Sequence, residues 1–268
     1  MRIAVEHITH YRFSQPQARI VQMLRLTPCD TQEQTVVSWN IGVDCDARLR
    51  SATDGFGNAI TMLYADGPIE ALDVSVIGEV LTQGTSGVVH GSYEPLPPVY
   101  YLRDTPRTQP AGELVDFAQG AAGAGEPLAR LHRLNDAFAE RFDVAPVGLD
   151  QGWSAGAAFT LERVGPRDLA QMFTAAARAL GIPARYVSGY HTEDGALSAP
   201  HAWAEAYVER LGWVGFDPAA GRCPDEAYVR VAVGLDASGA APIAGTRIGS
   251  GVERLAVDLH VDQVGGEE

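Results

Sequence analysis

The sequence predicts an α+β protein in which a β-rich N-terminal part precedes helices packed on an antiparallel sheet. Three observations carry that expectation. Apolar and polar residues alternate through most of the first 90 positions, helical spacing takes over between about 112 and 180, and strand patterns return from 184 onward.

The first strands are IAVEHITHYRF, TVVSWNIGV, DARLRSATD, AITMLYA and ALDVSVIGEVLT, each bounded by turn-forming residues. TPCDTQEQ, DGFGNA and ADGPIEA supply those boundaries. SYEPLPPVYYLRDTPRTQPAG, with five prolines, reads as an ordered but irregular crossing between domains. Leu114, Phe117 and Ala118 then fit one short apolar face. After GAAGAGE, Pro127 suits a first helical turn, and Leu128, Leu131, Asn135, Phe138 and Phe142 recur at helical spacing.

PVGLDQGWSAGAAFT reads as a loop with at most a short helical turn. A third helix over about 166–180 has clear ends: Gly165 as N-cap, Pro166 at N1, Asp168 on the positive end of the dipole, and Gly181 followed by Pro183 as the stop. ARYVSGY, HAWAEAYVE, GWVGFD, YVRVAV and RLAVDLHVDQ are the later strands. The expected organisation is residues 1–92 as a β-rich domain and 93–268 as a core that includes the C-terminal strands.

Composition narrows the function. The net charge of −14 and pI of about 4.8 argue against nucleic acid and anionic membrane as partners, because a phosphate surface needs a basic face. All 20 basic residues are arginine. Cys29, Cys45 and Cys223 lie far apart without a CxxC pair, which is neither a disulfide framework nor a zinc-ribbon spacing. No cofactor is expected. The N-terminal MRIAVEHITHYRF alternates like a strand and lacks a signal peptide's apolar core, and no stretch approaches the roughly 18 apolar residues of a membrane span. The expected location is the cytoplasm.

The chemistry-bearing stretch is HAWAEAYVERLGWVGFDP, 201–218. On a strand, His201, Trp203, Glu205 and Tyr207 share one face, while Ala202, Ala204, Ala206 and Val208 form a small-residue face on which a helix can lie. In the next strand Trp213, Gly215 and Asp217 share a face. If paired residue numbers sum to an even value, His201 and Asp217 fall on the same side of the sheet; an odd sum separates them. Gly212 permits the positive φ of a three- to five-residue loop, and the even register aligns the two apolar faces, so the even register is expected. A histidine oriented by an aspartate is the base half of a nucleophilic triad.

ARALGIPARYVSGY, then HAWAEAYV, LGWVGFDP and YVRVAVGLDASGAAPIAG, resemble the core of the bacterial transglutaminase-like family, within the papain-like cysteine-enzyme superfamily. HITHYRFSQP, LRLTP and DGFGNAITMLYA are similar to the β-rich domain that precedes that core, so the resemblance covers almost the whole chain. It implies a papain-like fold, His201 as base and Asp217 as its orienting acid. In the family the core helix opens with Gly-Val-Cys-x-Asp-x-Ala-His, where the cysteine is the nucleophile and the helix N-terminus lowers its pKa. Here the corresponding residues, 164–171, read VGPRDLAQ: Pro166 stands at the nucleophile's place and Gln171 at that of the motif's histidine.

The resemblance therefore implies a fold and cleft kept with the acyl-transfer or peptidase chemistry lost, the cleft binding a peptide or protein against Trp203, Tyr207 and Trp213. An active enzyme with a relocated nucleophile is the alternative, with Cys223 six residues past Asp217 as its main candidate and Ser154 and Thr160 as weaker ones. A metal site built from His191, His201, Asp217 or Cys223 lacks a zinc-like spacing.

Overall fold

Two long strands organise the N-terminal sheet. In a computed structural model that describes residues 1–84, 86–145, 152–192 and 200–264, β1 (Arg2–Leu24) is followed by β2 (Gln34–Val43), β3 (Ala47–Thr53) and β4 (Ala59–Thr82). β1 and β4 pair antiparallel along most of their length, with register shifts between Arg12, Gln17 and Arg19 that bend both strands together. The sequence reading ended β1 near Phe13 and placed a turn at ADGPIEA; instead β4 runs straight through that segment. The difference has a physical cause. Gly67 lies so close to β1 that an added Cβ would meet the Gln17 carbonyl oxygen at 1.9 Å, so the glycine marks close strand contact and not a chain reversal.

The bend makes two half-sheets. One half joins the first part of β1 to the second part of β4 and to β2; the other joins the second part of β1 to the first part of β4 and to β3. Leu24, Leu26, Leu63, Leu72 and Val76 are buried in the core of this unit.

The chain then adds β5 (Val88–Val89), a 3-10 turn at Pro98–Leu102, α1 (Gly112–Ala122), α2 (Pro127–Arg141), β6 (Asp143–Val144), α3 (Ala155–Phe159), β7 (Arg163–Val164) and α4 (Pro166–Ala179). Pro127 and Pro166 occupy the first turns of α2 and α4, and Gly181 has φ +77°, as the sequence predicts. Residues 146–151 of the expected loop lie outside the described residues. β8 (Ala184–His191), β9 (Pro200–Val208), β10 (Gly212–Phe216) and β11 (Tyr228–Gly234) follow, and with β5 they form an antiparallel sheet of order β11-β8-β9-β10-β5.

α4 is buried along almost its whole length. Leu169, Met172, Phe173 and Ala176 pack with Ala204, Ala206, Val214 and Phe216, so the small-residue face of β9 receives the helix as its alternation predicts. Nearer the N-terminus of α4, Ala170 packs with Ala202 and Tyr186.

β12 (Ile243–Ile248) and β13 (Glu253–Gln263) do not join this core sheet, where the sequence reading had grouped them. They pair antiparallel with β1, β12 on its second part and β13 on its first. Their period-2 pattern is correct; the edge they meet is set by a partner some 240 residues away, which alternation cannot name. Ile3, Val5, Leu259 and Val261 of the first sheet pack on Tyr190, Val229 and Val231 of the core. Among the described residues no helix is long and apolar enough to cross a membrane.

Candidate active site

β9 and β10 meet through a three-residue loop, with Val208 opposite Gly212 and Tyr207 opposite Trp213. The residue numbers sum to an even value, and Gly212 adopts φ +91°. The expected register therefore holds, and it sets His201 and Asp217 on one face. Their side chains meet: His201 Nε2 lies 2.6 Å from Asp217 Oδ2.

Asp217 is fully buried, and donors surround it. Oδ1 accepts from the backbone N–H groups of Ala219 and Ala220 (2.9 and 3.3 Å), so the carboxylate folds over its own turn. Oδ2 accepts from the Tyr228 hydroxyl (2.8 Å) as well as meeting His201. Burial alone would raise this carboxyl, but the imidazole of His201 and the hydrogen bonds from His201, Tyr228 and Ala219 outweigh it and hold the group below its usual range. Since an ionised carboxylate only accepts, His201 Nε2 carries its proton toward Asp217. In the neutral ring Nδ1 is then the basic nitrogen, the tautomer a general base needs.

Tyr228 holds the cluster together. Burial and the neighbouring Asp217 push its phenol well above the ordinary range, so it stays a donor. His191 stacks on it at 4.2 Å between ring centroids and accepts from Arg222 Nη2 at 3.0 Å. The His191 and His201 rings are 5.2 Å apart.

The remaining candidates separate. Trp203 is buried against Tyr228, 6.3 Å from the His201 ring. Tyr207 and Trp213 pair with each other farther along the strands, 5.5 Å apart, and line a depression of about 500 Å³ with Pro95, Leu96 and Leu211. Trp213 itself is only 4% exposed and is held edge-on by Tyr101, so it is as much a core residue as a wall. Pro166 is half-buried at the start of α4, one turn before Ala170. Asp168 accepts from the Gly165 backbone N–H at 3.3 Å, which caps the helix without any help from position 166. Gln171 is buried, donating to the Trp153 carbonyl and accepting from Ala237 N.

Cys223 lies partly buried against the helix-facing core, with Gly87 directly over it. Burial, and then Asp136, push its thiol up, the reverse of what activates a thiolate. Among the described residues no hydrogen bond or ion pair joins it to His201. Ser154 caps α3 by accepting from Ala157 N, and Thr160 donates to the Ala157 carbonyl. No cluster of three His, Cys, Asp or Glu able to hold a metal occurs among the described residues.

Sequence reasoning missed the polar centre farther along this face. Glu205, fully buried, accepts from Arg185 Nε at 2.6 Å and Arg230 Nε at 2.7 Å, and Arg185 also binds Glu94 and lies 3.9 Å over the Trp213 ring. Burial would raise the Glu205 carboxyl, yet Arg230 and Arg185 hold it down at about 2. A signal existed: Arg185 and Glu205 are the one arginine and the one carboxylate of two largely apolar strands, and they are direct cross-strand partners.

Residues 3–81 match the family model of the bacterial transglutaminase-like N-terminal region, and residues 115–218 match that of the transglutaminase-like superfamily. The chain belongs to the transglutaminase-like superfamily. Over 98% of its length this transglutaminase-like chain is 26% identical to an uncharacterized protein of Mycobacterium leprae (strain TN), covering 99% of that protein. It is equally identical to one of Mycobacterium tuberculosis (strain ATCC 25618 / H37Rv), of which 92% is covered. A solved structure from Cytophaga hutchinsonii, of a protein provisionally named a cysteine protease, aligns with all of this chain and 92% of that one at a TM-score of 0.80 and 19% identity. That likeness is one of fold: the helices on the antiparallel sheet are papain-like in arrangement, within the core whose residues 115–218 match the transglutaminase-like model.

Proposed function

We propose that this transglutaminase-like protein has lost acyl-transfer and peptidase chemistry and keeps its cleft to bind a peptide or protein. One observation carries the reading. Counted back without gaps from ALGIPARYVSGY, the nucleophile's position falls on Pro166, and proline offers no nucleophilic atom. The base half persists as the bonded His201–Asp217 pair, but Asp217 also ties the turn after β10 to Tyr228 of β11, which gives the dyad a structural use.

The depression walled by Tyr207, Trp213 and the proline segment supports a peptide-sized ligand. The charge of −14 supports neither nucleic acid nor membrane as that ligand, and the cytoplasm is the proposed location. An active enzyme whose nucleophile is Cys223 is the competing reading, and the raised, packed thiol argues against it.

A turnover assay decides between them. Purified wild type, Cys223→Ser and His201→Ala are offered glutamine-containing peptides, and ammonia release, amine incorporation and peptide cleavage are followed. No turnover in any of the three is the expected result. Turnover in wild type that disappears in Cys223→Ser would establish the moved nucleophile and end the binding-only reading.

A further inference from the structure

β13 leaves one edge of the first sheet open, and its backbone directions can be worked out. The bonds Val264 N–H to the Arg2 carbonyl and Ser14 N–H to the Val252 carbonyl bracket the β1–β13 ladder. Bonded pairs alternate along an antiparallel ladder, so the even-numbered residues of β13 bond β1, and Leu255, Val257 and Leu259 aim their N–H and C=O groups outward. The Val261 carbonyl, on the same edge, is reached by the Thr192 hydroxyl at 3.4 Å, which closes that end. The opposite edge of this half-sheet, β2, is interrupted by a register shift between Val36 and Ser38, a common device for blunting an edge.

The open stretch is also apolar. Leu255 is 58% exposed and Val257 43%, on the face that buries Leu259 and Val261 farther along. On the opposite face Arg254 makes no side-chain hydrogen bond or ion pair among the described residues, and Asp258, four residues on, is 68% exposed beside His10.

We propose that a second copy of this chain pairs with the first through β13, antiparallel about a twofold axis at Ala256. In that register Leu255 faces the partner copy's Val257 as an outward-bonded pair, twice over, and Arg254 faces Asp258 of the other copy, twice over. Shifting the axis to Asp258 would pair Arg254 with Asp262 but set Asp258 against its own copy and run the ladder onto the closed Val261 carbonyl, and shifting it to Val257 would set Arg254 against His260. Of these three, the axis at Ala256 alone matches charge without a like-charge contact and stops short of the closed end at Val261. The interface joins two half-sheets into one continuous sheet, and it is independent of the chemistry at His201.

Sedimentation velocity across a concentration series tests this on the full chain. Wild type is expected to reach a mass twice the 28.6 kDa of one chain. Val257→Pro removes an outward N–H and leaves every β1 bond intact, so a folded monomer is expected. Arg254→Asp should weaken association about tenfold or more, and adding Asp258→Arg should restore it by exchanging the charges. A wild type that stays monomeric throughout overturns the proposal. So does a dimer indifferent to Arg254→Asp, whose side chain lies outside the ladder and leaves folding untouched even if Val257→Pro does not.

Discussion

The Tyr228 hydroxyl and the His201 imidazole converge on one atom, Asp217 Oδ2, from 2.8 and 2.6 Å. Tyr228 is therefore a positioning residue for the dyad as well as a core aromatic.

Removing that hydroxyl tests its weight. Tyr228→Phe keeps the ring contacts with His191 and Trp203 and deletes one charge-assisted bond to a buried carboxylate, which should cost about 1.5–3 kcal/mol. Urea unfolding at neutral pH measures it. A loss within error of zero would mean that water replaces the hydroxyl.

The buried charges farther along the same face should be more sensitive. Arg185→Met takes one of two cations from fully buried Glu205 and removes the guanidinium that pairs with Glu94, so about 3–5 kcal/mol should be lost. The same unfolding series reads this, and a small loss would show that Arg230 alone suffices.

Acid should weaken the fold in two stages. His7 is buried, bonded to Tyr190 OH at 3.0 Å, and burial lowers its pKa to about 4. A histidine depressed in the folded state binds fewer protons there than when unfolded, so stability falls as pH drops from about 6.5 to about 4, by on the order of 3 kcal/mol. Below about 4 the lowered carboxyls of Asp217 and Glu205 begin to give up their contribution, which is complete above the ordinary carboxylate range. His10, raised by hydrogen bonding to Asp73, has the opposite sign: its contribution is full below about 6.5 and fades as pH rises through its raised pKa. Stability measured from pH 7 to 3 in wild type and His7→Gln should show the first stage vanish in the variant and the second remain.

Pro166→Cys places a thiol at N1 of a capped, buried helix. Helix N–H groups and the dipole should lower its pKa below the ordinary value of about 8.5, so iodoacetamide should label it near neutral pH while Cys223 reacts slowly. Mass spectrometry of each cysteine across pH reads this. Labelling at position 166 no faster than at Cys223 would show that the helix end no longer favours a thiolate.

The site was legible where short-range rules govern it. Strand parity and Gly212 predict the register that joins His201 to Asp217, and Gly165, Pro166 and Gly181 predict both ends of α4. Tyr228 was not legible, because its approach to Asp217 depends on β11 lying beside β8 at the sheet's edge, a choice made by the whole topology. Gly189 shows the same limit. An added Cβ there would meet the Val229 carbonyl at 2.1 Å and the Trp203 ring at 2.7 Å, so the SGY glycine admits two neighbours that the local sequence does not name.

The first strand finds two of its partners only at the far end of the polypeptide: His10 and Asp258, which touch across β1 and β13, are 248 positions apart. On the ribosome β1 emerges long before β13, so one flank of the β1–β4 pair stays bare while the entire core is being translated. A ribosome stalled between residues 235 and 252 would release a chain whose β-domain is incomplete although its core strands are all made.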